Sequence, residues 1–138
     1  MTESALESTT KDKAPVNRAR GLMFALAGWL VPGLGHLLLR RWGKAAAYFV
    51  CVAALAITGL IMRGGVFAAS ASDLFDRLGF YANLGLGGFY FLARALWVGA
   101  PDIAHASGDY GTRIFAAAGV LNLLAVLEAF EIGSGRRE

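Results

Sequence analysis

Charged residues make up only 17% of the 138-residue chain, against roughly 25% in soluble domains. A small globule has much surface for its volume, and this chain has too few polar side chains to cover one, so a soluble enzyme is excluded. Its 57% hydrophobic content equally excludes a disordered regulator. Cys51 is the single cysteine, so no intrachain disulfide can form and a disulfide-stapled scaffold is excluded. The two histidines, His36 and His105, stand at no metal-ligand spacing from a cysteine or carboxylate. HExxH, CxxC, a Ser-His-Asp set and paired carboxylates within the apolar runs are all missing. Nothing in the sequence therefore recommends an enzyme, a cofactor or a bound metal. Gly33-Leu34-Gly35 is no phosphate loop, because no Gly-Lys-Ser/Thr follows and no strand precedes it.

What the chain has in quantity is glycine, 18 residues of it, and long apolar runs. Residues 1–20 are polar and without apolar periodicity, which predicts a disordered N-terminal tail. Four runs follow, at about 21–39, 45–62, 78–98 and 114–132. At 1.5 Å per residue each approaches the ~30 Å thickness of a bilayer core. The first exceeds the roughly 7–15 residues of a signal-peptide core and is read as a retained span. Pro32 removes a backbone hydrogen bond in its middle, and Gly33 and Gly35 follow, so this helix is expected to kink or break. Between the second and third runs, Phe67, Ala71, Leu74, Phe75 and Leu78 recur at helical spacing. Asp73, Asp76 and Arg77 fall on the other face, as in a short helix lying in the membrane interface. Residues 133–138 form a basic C-terminal tail. The expectation is an all-α membrane protein of four transmembrane helices plus one interfacial helix. Its first partner is the lipid bilayer.

The formal net charge is +3. Basic residues lie between apolar runs, which fits membrane orientation and gives no reason to expect nucleic acid. Four spans put both termini on one side. Lys11, Lys13, Arg18, Arg20, Arg63, Arg77, Arg136 and Arg137 then share that side, against Arg40, Arg41, Lys44, Arg94 and Arg113. The positive-inside rule places the termini in the cytoplasm on this count, although the cluster Arg40, Arg41 and Lys44 pulls the other way.

Trp29-Leu30-Val31-Pro32-Gly33-Leu34-Gly35-His36, followed by Arg40-Arg41-Trp42-Gly43-Lys44, resembles the opening of several small bacterial membrane families: PGxGH, a basic turn, then an apolar helix. The stretch from Tyr110-Gly111 through Gly119-Val120-Leu121-Asn122 to Glu128-Ala129-Phe130 is similar to one of them, a multi-span family of unknown function. The resemblance covers roughly residues 20–137 and implies a bacterial inner-membrane location without supplying an activity. Related two-helix families carry Tyr-Leu-Gly-Arg after the histidine. Leu38-Leu39-Arg40 stands here instead, so any role of that tyrosine or glycine does not transfer.

A few polar groups fall within the apolar runs. His36 is able to bind a metal or haem or to shuttle a proton; the plainer reading is that it hydrogen-bonds a carbonyl freed by Pro32. Asn83 and Glu128 are expected at one depth if the third and fourth spans are antiparallel, either carrying protons or cations or locking helices together. Asn122 joins that polar set. Arg94 falls near the opposite end of the third span, out of reach of Glu128. Gly85, Gly87 and Gly88 read as positions of close helix approach. Ala118, Asn122, Ala125 and Ala129 recur at i+4, i+3 and i+4 on one face, a small-residue packing seam. Two functions follow as expectations. One is a non-enzymatic accessory subunit or assembly protein of a membrane complex, with a membrane-protein partner or self-association. The other is a small oligomeric transporter or channel using His36, Asn83, Asn122 and Glu128.

Overall fold

The structure, a computed structural model, describes residues 17–65, 74–96 and 106–136. Every element among them is a helix: α1 Arg18–Leu30, α2 Leu34–Leu38, α3 Trp42–Ile61, α4 Leu74–Leu84, α5 Gly88–Leu96 and α6 Ala106–Gly133. Residues 1–16, most of the expected interfacial helix over 66–78, and Trp97, Pro101 and His105 lie outside the described residues. Among the described residues two helices are long and apolar enough to cross a membrane, Trp42–Ile61 and Gly108–Gly133.

α1 begins at Asn17, whose side chain accepts the Arg20 amide at 3.1 Å. It stops at Val31, which precedes Pro32 and is extended as that position requires. Gly33 then takes a left-handed φ of 82°, and the chain doubles back into α2. Gly35 on α2 lies against the Phe24 carbonyl of α1 and the Ala129 side chain of α6. The proline thus produces a hairpin, not a kinked span.

α3 runs antiparallel to α6. Lys44 near its start reaches Glu128, and a Cβ on Gly59 near its end would stand 2.8 Å from the Gly111 carbonyl oxygen. α1 is also antiparallel to α6, with Gly21 beside Phe130 and Ser134, and Gly28 beside Val126. The Asn17 amide donates to the Ser134 carbonyl at 3.1 Å, which ties the two ends of the described chain together. The Arg40–Lys44 turn therefore sits at the same end as Asn17 and Ser134, the ends of the described chain. A four-span layout would have put it opposite them.

The third apolar run is broken as well. α4 ends at Leu84, Gly85–Gly87 turn with Gly87 at φ 57°, and α5 leaves in the reverse sense, its Tyr90 ring 6.5 Å from Phe80 of α4. Ala82 meets Gly119, and Gly85 meets Leu123, so α4 runs parallel to α6. This second hairpin enters from the end remote from the termini, and its tip meets the first. Gly87 and Gly88 pack on the Trp29 and Leu30 carbonyls, and the Trp29 indole donates to the Leu84 carbonyl at 3.0 Å. The order short helix, glycine turn, short helix, long helix occurs twice, in opposite directions.

The core forms where these parts converge: Val52, Ala56, Leu86, Tyr90, Ala93, Phe115 and Ala118 are buried together. At the remote end, α3 closes with Arg63 at φ 55°, and the Gly65 amide donates to Thr112 Oγ1 at 2.8 Å. That hydroxyl donates in turn to the Gly108 carbonyl. Thr112→Val keeps the shape but leaves the buried Gly65 amide without its acceptor. The expected loss is about 1–3 kcal/mol, read as a lower thermal midpoint in detergent, with Thr112→Ser close to wild type.

Candidate functional site

The densest polar arrangement is built on Glu128. The Pro32 hairpin carries His36 back against α6, and α3 starts immediately after, so Lys44 and Tyr48, one helical turn apart, face the same carboxylate. Tyr48 donates its hydroxyl proton to Glu128 Oε2 at 2.7 Å. His36 Nε2 lies 3.2 Å from the same oxygen, and the Lys44 ammonium donates to Oε1. The His36 ring also stacks at a tilt on Tyr48, with centroids 4.9 Å apart. His36 is 1% exposed, the Glu128 side chain 16% and the Lys44 side chain 45%. Lys44 thus stands at the rim while the imidazole is sealed inside.

Chemically this is a carboxylate with both oxygens engaged by charge-assisted donors. It joins the first hairpin, α3 and α6 at one point. No group of three or more histidine, cysteine or acidic side chains among the described residues is placed to hold a metal ion. The sequence pointed to His36 and Glu128 but not to their partners. Lys44 and Tyr48 share one helical face, and that spacing was the available signal. Reading Lys44 as part of a turn on the opposite side concealed it.

Asn83 does not meet Glu128. The Pro32 hairpin reverses the expected direction of the chain that follows, so α4 runs parallel to α6 and Asn83 lands instead near the level of Asn122, whose Nδ2 donates to the Gly85 carbonyl at 2.8 Å. Both asparagines are fully buried. Neither polar atom of the Asn83 side chain, nor Oδ1 of Asn122, has a hydrogen-bond partner. Asn122 and Glu128 are six positions apart, about 9 Å along the helix, so the expected polar set divides into two loci. Arg94 is exposed on α5. Asp109, at the start of α6, pairs with Arg113 at 2.9 Å.

The glycines and alanines form seams. A Cβ on Gly85 would stand 2.7 Å from both the Gly119 carbonyl oxygen and the Leu123 side chain. Gly87 and Gly88 admit the end of α1, as described. Ala118, Asn122, Ala125 and Ala129 are all buried along one face of α6. Two apolar grooves open on the outside near Pro32. One, of about 380 Å³, lies between the turn into α2 and the start of α3 and includes Pro32, Leu37, Trp42, Ala46 and Phe49. The other, of about 320 Å³, lies between Leu30, Val31 and Pro32 and α5 residues Gly88, Phe89 and Leu92.

Comparison with curated proteins and with solved structures found no significant match. The sequence profile of one family, however, matches residues 23–138. That match takes in both hairpins, both long helices and every residue of the Glu128 cluster, and by it the chain belongs to the Family of unknown function (DUF6677).

Proposed function

We propose that the chain is an integral membrane protein without catalytic function, an accessory subunit or assembly protein of a larger membrane complex. The observation that carries this reading is how the surface and the polar groups are divided. Only 22% of the apolar stretch of α3 and 33% of that of α6 is buried inside the molecule. Val50, Ile57, Ile61, Leu124 and Leu127 project outward. Helices so apolar and so exposed suit hydrocarbon, and a soluble domain does not carry such a surface. Meanwhile Glu128, His36 and the Nδ2 of Asn122 are turned inward and join one segment to another. Lipid provides no hydrophobic drive for helix association, so small-residue seams and internal polar contacts must hold the bundle.

The hairpins also bear on orientation. Arg18, Arg20, Arg40, Arg41, Lys44 and Arg136 gather at the end with the termini, against Arg63, Arg77, Arg94 and Arg113 toward the other. In a bacterial inner membrane, the location implied by the sequence resemblance, that distribution supports cytoplasmic termini.

Purification of a tagged copy from its native membrane in mild detergent tests the subunit reading. Foreign polypeptides in fixed stoichiometry are the expected result. A bare monomer or homo-oligomer overturns it.

One observation favours the second reading, an oligomeric transporter or channel. Asn83 and Asn122 leave buried polar atoms unpartnered where the two hairpin tips meet, and interrupted helices of this kind line solute sites in transporters. Flux through liposomes containing the purified protein, lost in Asn83→Leu while folding survives, would establish it.

A further inference from the structure

We propose that the groove at the start of α3 is a binding site for an anionic phospholipid of the leaflet on the side of the termini. This rests on the membrane reading above and adds a ligand to it. The groove between Pro32, Leu37, Trp42, Ala46 and Phe49 is lined by apolar side chains and is open to the outside. In a bilayer that surface faces acyl chains. Its lining includes Trp42, and the two residues before Trp42 in the chain are Arg40 and Arg41. Arg40 is exposed and Arg41 half-buried. Glu128 takes Lys44 and Asp109 takes Arg113, so neither of these carboxylates pairs with Arg40 or Arg41. Two arginines thus lead directly into Trp42, which forms part of the wall of a slot shaped for hydrocarbon.

That pairing selects the occupant. A partner helix would fill the slot but leave the guanidiniums unanswered, and inorganic phosphate would answer the guanidiniums but leave the slot empty. A phospholipid with net negative charge does both. The guanidinium fork binds phosphate oxygens in two parallel hydrogen bonds, and the acyl chain lies along Pro32, Ala46 and Phe49. Trp42 is 69% exposed and flanks the groove at the level expected for an interfacial aromatic. Arg40 holds a left-handed φ of 60°, a conformation disfavoured for residues with a Cβ. Its guanidinium gives a reason for arginine, and not glycine, at that turn.

The full-length protein, purified in detergent and stripped of lipid, is titrated with phosphatidylglycerol carrying brominated acyl chains, and separately with brominated phosphatidylcholine. Quenching of tryptophan fluorescence is followed in wild type and in Trp42→Phe, and the difference between them isolates Trp42. The expected result is saturable quenching of Trp42 with a preference of about tenfold or more for phosphatidylglycerol. The preference disappears in the double variant Arg40→Gln/Arg41→Gln, and quenching by both lipids falls in Ala46→Phe, which fills the slot. Inorganic phosphate competes with neither lipid. Equal quenching by the two lipids, or an undiminished preference in the arginine variant, overturns the assignment, as does a polypeptide from the native membrane that protects Trp42 from quenching. Detergent phase separation distinguishes the two levels of failure. Recovery in the aqueous phase overturns the membrane reading itself, whereas recovery in the detergent phase without lipid preference overturns only the lipid site.

Discussion

Gly87→Ala is expected to cost about 3 kcal/mol or more, the largest effect of any single methyl group added to this chain. Two separate penalties combine there. The φ of 57° suits glycine, and a residue with a Cβ pays roughly 1–2 kcal/mol to adopt it. The new methyl would also run into the Trp29 carbonyl oxygen, and forcing extra volume into a packed site costs typically 1–3 kcal/mol more. The obstacle is backbone, which cannot swing aside as a side chain does, so the two hairpin tips must separate. Gly43→Ala is the matched control, since nothing lies within 4 Å of a Cβ at Gly43. In helix α3 that change should be neutral or stabilise by about 0.5–1 kcal/mol. Thermal unfolding of both variants in the same detergent reads the contrast. Equal midpoints would show that the tips are not packed as described.

Glu128 gives the second large effect, in the difference between two substitutions. Glu128→Ala removes the acceptor that Tyr48, His36 and Lys44 share. Lys44 is 45% exposed and can turn to water, so its loss matters little. His36 has no such exit. A sealed imidazole and a half-buried phenol without their acceptor should cost about 2–4 kcal/mol together. Glu128→Gln keeps a carbonyl oxygen in place to accept from Tyr48 or His36, and its cost should stay near 1 kcal/mol. A role in moving protons or cations predicts a different pattern, in which the glutamine variant folds as well as wild type yet has lost all function. Measuring stability and, once a native complex is isolated, assembly for both variants separates fastening from charge carriage.

Much of this was legible in the sequence, for identifiable reasons. Apolar content and helical runs announced a helical chain with membrane-length segments, and Pro32 with Gly33 announced a break. The small-residue stripe Ala118, Asn122, Ala125 and Ala129 was readable from spacing alone and is buried throughout. Chain direction was not readable. Hydropathy records how apolar a segment is, and a segment that goes in and returns is as apolar as one that goes through. Pro32 marks its reversal by removing a donor, whereas Gly85–Gly87 mark theirs only by lacking side chains, the same feature that makes them close-packing residues. That one ambiguity explains both displaced expectations. It put Arg40, Arg41 and Lys44 at the wrong end, hiding Lys44 from Glu128, and it ran Asn83 toward the wrong level of α6.

The contact between the hairpin tips has a further consequence. α1 arrives at the junction from the end with the termini and stops with the carbonyls of Trp29 and Leu30 directed onward. α5 departs from Gly88 toward the remote end, with Gly87 and Gly88 packed closely against those carbonyls. The negative pole of one short helix thus meets the positive pole of another, head to tail. Their 13 and 9 residues amount to about 33 Å of helix, the depth of a bilayer core. In the membrane reading proposed above neither segment would cross alone; together they would make a composite crossing assembled from two stretches of chain more than fifty residues apart. A backbone interruption in hydrocarbon is tolerated only where other protein covers it, and here the covering is supplied by the opposite pole of a second interruption.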